Sequence, residues 1–391
     1  MPGAPRPKKS EQEDASEEVV EVAPNVIRMQ LPIWLPGLGH VNMYGLLDDK
    51  GLAVVDPGLP GPKSWKALKQ RLKTAGFSVN DIHTVFVTHS HPDHFGGAGR
   101  IAKQSGARLV THHSFSTFSV KGPSATNTLS EEAAKRLELE AAMAAQSLGG
   151  GASDRHPDEI PTIDQFDDVV RDDTTEQETT AKWGGTTPWG THNPGPPLKR
   201  RVLIRAMRFL FDSPEPTHRV HHADRMQLAG REWWCIHTPG HTVDHLCLYD
   251  PETGTLLSGD HVLPTITPHV SGVNQADSLK SYLATLDLVA RLPDVRLGLP
   301  AHGKPFEDVK GRVEAIKDHH AERLEMLRDA GLALGPASVE QLSHEAFPRR
   351  HWGTMAESET FAHLQHLYHA GEAERWDEDG TLMFRMAPRS V

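Results

Sequence analysis

The sequence predicts an α/β protein: a sandwich of β-sheets covered by helices. Two observations lead there. Strand-like apolar runs alternate with an amphipathic helical pattern in the first third of the chain, and the alternation resumes after residue 220, where Ser278 to Leu292 carries the helical period. In addition, four apolar runs each end in a His or Asp flanked by glycine, the placement expected of sheet-edge loops that carry chemistry.

In chain order, residues 1 to 18 are rich in Pro, Lys and Glu and are expected to form a disordered tail. Val19 to Gln30 and Val41 to Val55 read as strands, with Asp48-Asp49-Lys50-Gly51 as a hairpin turn. Pro62 opens a helix whose apolar face is Trp65, Leu68 and Leu72, spaced i, i+3, i+7, and Gly76 stops it. The next strand, Thr84 to Val87, runs into Thr88-His89-Ser90-His91-Pro92-Asp93-His94-Phe95-Gly96-Gly97. In an extended backbone His89 and His91 share a face, and Pro92 biases His91 toward that conformation. Asp93 and His94 can then turn back to the same point, with Gly96 and Gly97 allowing close packing. Three imidazoles and a carboxylate within six residues outline a metal site; the alternative is a solvated histidine loop, since His makes up 25 of 391 residues.

Residues 115 to 220 form an insertion. Ser130 is a candidate N-cap for a helix to Leu148 that Gly149-Gly150-Gly151 ends. Asp154 to Thr180 is rich in Asp, Glu and Thr, and Trp183 to Pro197 is crowded with Gly, Pro and Thr. Two readings stand: a lid whose Trp183, Trp189, Phe209, Leu210 and Phe211 line a pocket, or disorder beside one packed helix. Lys199, Arg200 and Arg201 read as solvated surface rather than a phosphate clamp.

Three further motifs follow apolar runs: Thr238-Pro239-Gly240-His241, Ser258-Gly259-Asp260-His261 and Pro300-Ala301-His302-Gly303. Asp56-Pro57-Gly58, also at a strand end, is either a support for a metal site or a turn. His245 precedes a strand-like run and reads as a hydrogen-bond partner rather than a ligand, with His261 as a second bystander.

Taken in order, the His-x-His-x-Asp-His run, the Pro-Gly-His, the Gly-Asp and the final His-Gly resemble the metallo-β-lactamase-fold hydrolase superfamily, which includes glyoxalase II, lactonases and tRNA-processing nucleases. The resemblance spans about Val19 to Phe306. It implies a four-layer αββα sandwich in which His89, His91 and His241 hold one metal, Asp93, His94 and His302 hold a second, and Asp260 bridges them. Two departures are visible: Pro-Ala-His-Gly stands where many relatives have Pro-Gly-His-Gly, and the interval between the first two motifs is unusually long. Five neutral imidazoles, two carboxylates, two divalent ions and one hydroxide would leave the site near +1, which favours anions. Zn²⁺ is the first expectation for both ions, with Mn²⁺ or Fe²⁺ as alternatives.

Composition fits a cytoplasmic enzyme. The net charge of −11 disfavours broad attraction to nucleic acid or anionic membrane, and no run of about 18 apolar residues appears. Cys235 and Cys247 read as core thiols. After the catalytic unit, 19 to 311, residues 312 to 391 are expected to form a small domain: helices over Arg312 to Ala330, Ser338 to Phe347 and Ser358 to Ala370, then a hairpin around Asp379-Gly380. That order resembles a winged helix, as on the branch that includes a lactamase-like endoribonuclease. Between residues 319 and 391, seven Arg and no Lys face twelve Asp and Glu, so a packing or dimerisation element is expected rather than a nucleic-acid reader. The functional expectation is a dinuclear zinc hydrolase of a small substrate, anionic or with an activated carbonyl: an ester, thioester or lactone. Metal-held hydroxide would attack and Asp93 would shuttle the proton. The alternatives are an endoribonuclease and a mononuclear iron persulfide dioxygenase.

Overall fold

The computed structural model describes residues 8–117, 120, 185–193, 215–273 and 275–388. The expected helix from Ser130 to Leu148, the Asp154 to Thr180 stretch, Trp183, the basic cluster at 199–201 and Phe209 to Phe211 lie outside the described residues.

Seven strands form the first sheet in chain order: β1 (Val19–Ala23), β2 (Val26–Pro32), β3 (His40–Asp48), β4 (Gly51–Val55), β5 (Ile82–Phe86), β6 (Arg108–His112) and β7 (His218–Val220). The first four pair antiparallel, and β4 to β7 pair in parallel. Asp48 pairs with Gly51, so the hairpin turn falls at Asp49-Lys50 as expected. Val19 to Gln30, read as one strand, is instead a hairpin: the chain reverses at Pro24-Asn25, with Asn25 at φ 58°. Asn tolerates that left-handed conformation better than most residues. The second sheet has the order β12 (Leu297–Pro300), β11 (Thr255–Gly259), β10 (Leu246–Asp250), β9 (Arg231–His237), β8 (Arg225–Leu228). Only its β11–β12 pair is parallel.

Because successive strand residues point to opposite faces, each strand feeds two cores. On β4, Ala53 and Val55 face the second sheet, while Leu52 and Val54 face α1 (Pro62–Thr74) and α3 (Ala98–Ser105). On β9, Trp233 and Cys235 face the first sheet, while Trp234 and Ile236 face α4 (Ser278–Arg291). The result is helix, sheet, sheet, helix. Trp65, Leu68 and Leu72 are the buried stripe of α1, as their spacing predicts. Both cysteines are buried and neither is in a disulfide, and burial pushes the Cys247 thiol up to about 12.

The expected disordered tail is corrected from residue 8 onward. Ser10–Gln12 is a turn of 3-10 helix, and Glu11 is fully buried, accepting hydrogen bonds from Thr265 N (2.7 Å) and Ile266 N (3.1 Å). A buried carboxylate matched to two backbone donors offsets the chain entropy lost on ordering a stretch whose Pro/Lys/Glu composition favours disorder.

The C-terminal unit runs α5 (Val309–Leu334), β13 (Ala337–Ser338), α6 (Val339–Ala346), α7 (Thr354–His369), β14 (Ala373–Glu378) and β15 (Thr381–Met386). These are three helices and a hairpin in the expected order, with β13 added at the edge of the hairpin. Ser338 and Gln341 cap α6 reciprocally. The junction expected at 311–312 falls inside the first turn of α5, a helix of 26 residues that packs on α4 and α6 alike. Among the described residues no helix is long and apolar enough to cross a membrane.

A buried histidine pair joins α5 to α7. His363 Nδ1 donates to Glu359 O at 2.7 Å, which leaves Nε2 to accept from His320 Nδ1 at 3.1 Å. The His363 ring is therefore neutral, and burial is the first cause that lowers His320 to about 3 and His363 to about 4. Unfolded, both would titrate near 6.5, so below that pH the unfolded chain binds more protons than the folded one. Their contribution is complete above pH 6.5 and is lost toward pH 3–4, at up to about 1.4 kcal/mol per pH unit for each ring. Denaturant unfolding of the metal-free protein between pH 7 and 4.5 should show this slope. His363→Gln, which keeps an acceptor for His320, should make it shallower; an unchanged slope would clear the pair of this role.

Candidate metal centre

All seven residues singled out from the motifs meet where the strands of the two sheets end. His89, His91, Asp93 and His94 follow β5; His241 follows β9, Asp260 follows β11 and His302 follows β12. Backbone and side-chain hydrogen bonds fasten the sheets together at this point. Leu246 N donates to Thr88 O (2.8 Å), and both Asn42 Nδ2 (2.8 Å) and Tyr44 Oη (2.7 Å) donate to Pro300 O. His91 is extended (φ −79°, ψ 141°) and Pro92 starts the single turn α2 (Pro92–Phe95), which brings Asp93 and His94 back toward His89. Gly96 and Gly97 pass so close to Pro60 and Pro57 that a Cβ would fall 2.1 and 2.4 Å from their atoms.

Two sets of side chains converge. His91 Nδ1 lies 3.0 Å from His89 Nε2 and 3.1 Å from His241 Nε2. Asp260 Oδ2 stands 3.6 Å from His241 Nε2 and 4.0 Å from His89 Nε2. In the second set, Asp93 Oδ2 is 3.6 Å from His94 Nε2 and 3.5 Å from His302 Nε2. Asp260 sits between the sets, its Oδ2 3.4 Å from His94 Nε2 and its Oδ1 3.4 Å from His302 Nε2. Within each set the candidate ligand atoms all fall within 4.8 Å of one another.

Outer partners fix the rings. His94 Nδ1 donates to Asp56 Oδ2 (2.8 Å), His241 Nδ1 to His269 O (2.6 Å) and His302 Nδ1 to His40 O (2.6 Å). Thr88 Oγ1 donates to Asp56 Oδ2 (2.7 Å) and so accepts from His89 Nδ1 (3.0 Å). Four imidazoles thus have Nδ1 occupied and Nε2 turned inward, the arrangement by which outer hydrogen bonds orient metal-binding histidines. His245 holds the backbone instead: its Nε2 accepts from Asp260 N (3.0 Å) and its Nδ1 meets Thr238 Oγ1 (2.7 Å).

The residues fit divalent ions. His94 Nε2, His302 Nε2 and Asp260 Oδ1 are buried without a hydrogen-bond partner, which is costly unless something else sits among them. Ligands at about 2.0–2.1 Å from a tetrahedral zinc lie about 3.3 Å apart, close to the spacings of both sets. The electrostatics agree. Burial opposes charge on His94 and His302, yet Asp260 and Asp93, with Asp56 at His94, outweigh it and raise both above the usual imidazole range. Burial, joined by neighbouring imidazoles, holds His89, His91 and His241 below it. Buried carboxylates therefore draw positive charge into the centre.

Sequence reasoning missed His40, Thr88 and His269 as partners, and it left Asp56 open between a support and a turn; Asp56 bonds His94 and Thr88 directly. Trp189 is corrected. Offered as a lid residue, it is buried against Phe361 and donates to Glu357 Oε2 (2.8 Å), which ties it to α7. Another histidine group was also missed: His112 stacks on His237 (3.8 Å) and His113 on His221 (4.3 Å). It forms no metal-ligand set among the described residues, and burial takes His237 down to about 3 and holds His112 well below the usual imidazole range, so those two stacked rings pack as neutral groups.

Asp56→Ala would free His94 Nδ1 and the Thr88 hydroxyl together. Metal affinity should fall about 10- to 100-fold, as for other outer partners of metal ligands. Competition with a chelator measures this, and wild-type affinity would remove Asp56 from the centre.

The family model for the metallo-beta-lactamase superfamily matches residues 36–302. Among solved structures, a metallo-beta-lactamase family protein of Thermus thermophilus is 26% identical with a TM-score of 0.64, covering 94% of this chain and 100% of that one. A beta-lactamase domain protein of Burkholderia ambifaria is 26% identical with a TM-score of 0.66, covering 97% of each chain. Among curated proteins, the lactamase-like protein nscB of Trichophyton equinum is 34% identical over 111 residues, 28% of this chain and 31% of that protein. The chain thus spans about a third of the length of the first curated relatives it matches. With the two-sheet sandwich, the strand-end histidines and a match over more than half its length, the chain belongs to the metallo-beta-lactamase superfamily.

Proposed function

We propose that the protein is a dinuclear zinc hydrolase that cleaves a small ester, thioester or lactone. The observation that carries this reading is the convergence of five imidazoles on two buried carboxylates, with unpartnered polar atoms left facing the centre. His89, His91 and His241 would hold one ion, Asp93, His94 and His302 the other, and Asp260 would bridge. Ions bound there would supply a water nucleophile at neutral pH and polarise the attacked carbonyl. The chain's own residues do the rest. His91 is the least buried of the seven, so solvent and substrate approach from its side. Asp93, between His94 and His302, is placed to hold the proton released on attack and return it to the leaving oxygen or sulfur. A small substrate, anionic or with an activated carbonyl, suits a centre whose charge would be near +1. Cytoplasmic location is part of the same proposal.

Protein purified without added metal should carry about two zinc ions per chain, and His89→Ala or His302→Ala should each lose most of one. Asp260→Ala should lower turnover at least about 100-fold, because it would touch both ions. A panel of ester, thioester, lactone and RNA substrates should give turnover on the activated carbonyls. One iron per chain with O₂ consumption, or cleavage of RNA alone, would overturn the proposal.

A further inference from the structure

The loop between Asp260 and α4 carries the His269 carbonyl that orients His241, and its outer side lies along one face of α7. Ser271 Oγ meets Ser358 Oγ at 3.1 Å, and His269 Nδ1 lies 3.6 Å from Glu359 Oε2. Gly272 approaches so closely that a Cβ would stand 2.8 Å from Ala362 N, and Asp277 Oδ2 meets His366 Nδ1 at 3.0 Å. Residues 358, 359, 362 and 366 recur at helical spacing, so the loop follows the helix for two turns. Upstream, Arg312 of α5 donates to Leu263 O (2.6 Å) and Ile266 O (2.7 Å), and Glu11 takes Thr265 N and Ile266 N. His269 therefore has a tether on either side. Its own ring faces Glu359, whose carboxyl burial would push up but which His269 and the Arg323 guanidinium hold down at about 2.

We infer that Glu359 of the C-terminal unit is a positioning residue for the metal centre: it fixes His269, whose carbonyl sets the ring of His241. The inference rests on the metal-centre reading above. A ring held by one hydrogen bond at Nδ1 pivots when its acceptor shifts, and Nε2 then leaves the point shared with His89 and His91. Loss of such an outer partner weakens metal binding about 10- to 100-fold. The C-terminal unit is by this account part of the site and not an appendage to it.

The test is zinc binding to the metal-free full chain, read by competition with a chromophoric chelator. Glu359→Ala should weaken one of two binding steps about 10- to 100-fold and leave the other within about threefold. Glu359→Gln keeps an acceptor for His269 and should restore most of the loss. His269→Ala, which removes the tether but not the carbonyl, lies in a partly exposed loop and tests the same link should Glu359→Ala fail to fold. Its loss should match that of Glu359→Ala, and the double variant should be no worse than either single one. Arg328→Ala breaks an ion pair with Glu372 beyond the far end of α7 and serves as the control. Unchanged binding in Glu359→Ala or His269→Ala overturns the inference, as does an equal loss in Arg328→Ala. A wild-type chain that binds no zinc at all would fail the metal-centre reading itself, a result distinct from every other.

Discussion

The burial of two carboxylates, Asp93 and Asp260, at the meeting point of two apolar sheets is the constraint on which the site depends. An unpaired carboxylate in such a place costs several kcal/mol, so compensating charge has to be supplied at once. The chain supplies imidazoles, which can be neutral ligands or cations according to what else is present. Their responses are opposite: the carboxylates facing His94 and His302 outweigh burial and drive them toward protonation, while burial, joined by neighbouring imidazoles, drives His89, His91 and His241 from it.

The sandwich makes this arrangement possible. Strand alternation sends one set of residues to the inter-sheet core and the other to the helices, leaving the strand ends as the place where backbone polar groups of both sheets are exposed to each other. Thr88 O, His40 O, Pro300 O and His269 O are all acceptors at that rim, and each is taken by a group that aligns the centre or closes the sheets upon it.

Much of this was legible in the sequence. Pro92 and the glycines around the first motif announce a tight return after an extended pair of histidines, and period-two burial follows from the apolar runs. The rest was hidden for physical reasons. His40 and His269 act through carbonyls, which carry no side-chain signature, and Glu11 is buried by donors more than 250 residues away. The reversal at Pro24-Asn25 lies between apolar residues that continue on both sides, so the pattern alone reads as one strand. Trp189 sits among Gly, Pro and Thr, yet Phe361 and Glu357 bury it from another part of the chain.

The rim around His302 joins residues very distant in the chain: His40 and His302 are 262 positions apart, and Glu11 and Thr265 are 254 apart. Contacts of such high order form only after the intervening polypeptide has collapsed, and they are slow to close. The alignment of the imidazoles is thus acquired late on the folding path. A half-folded chain presents scattered histidines, and their convergence exists only once the strands that carry them have met.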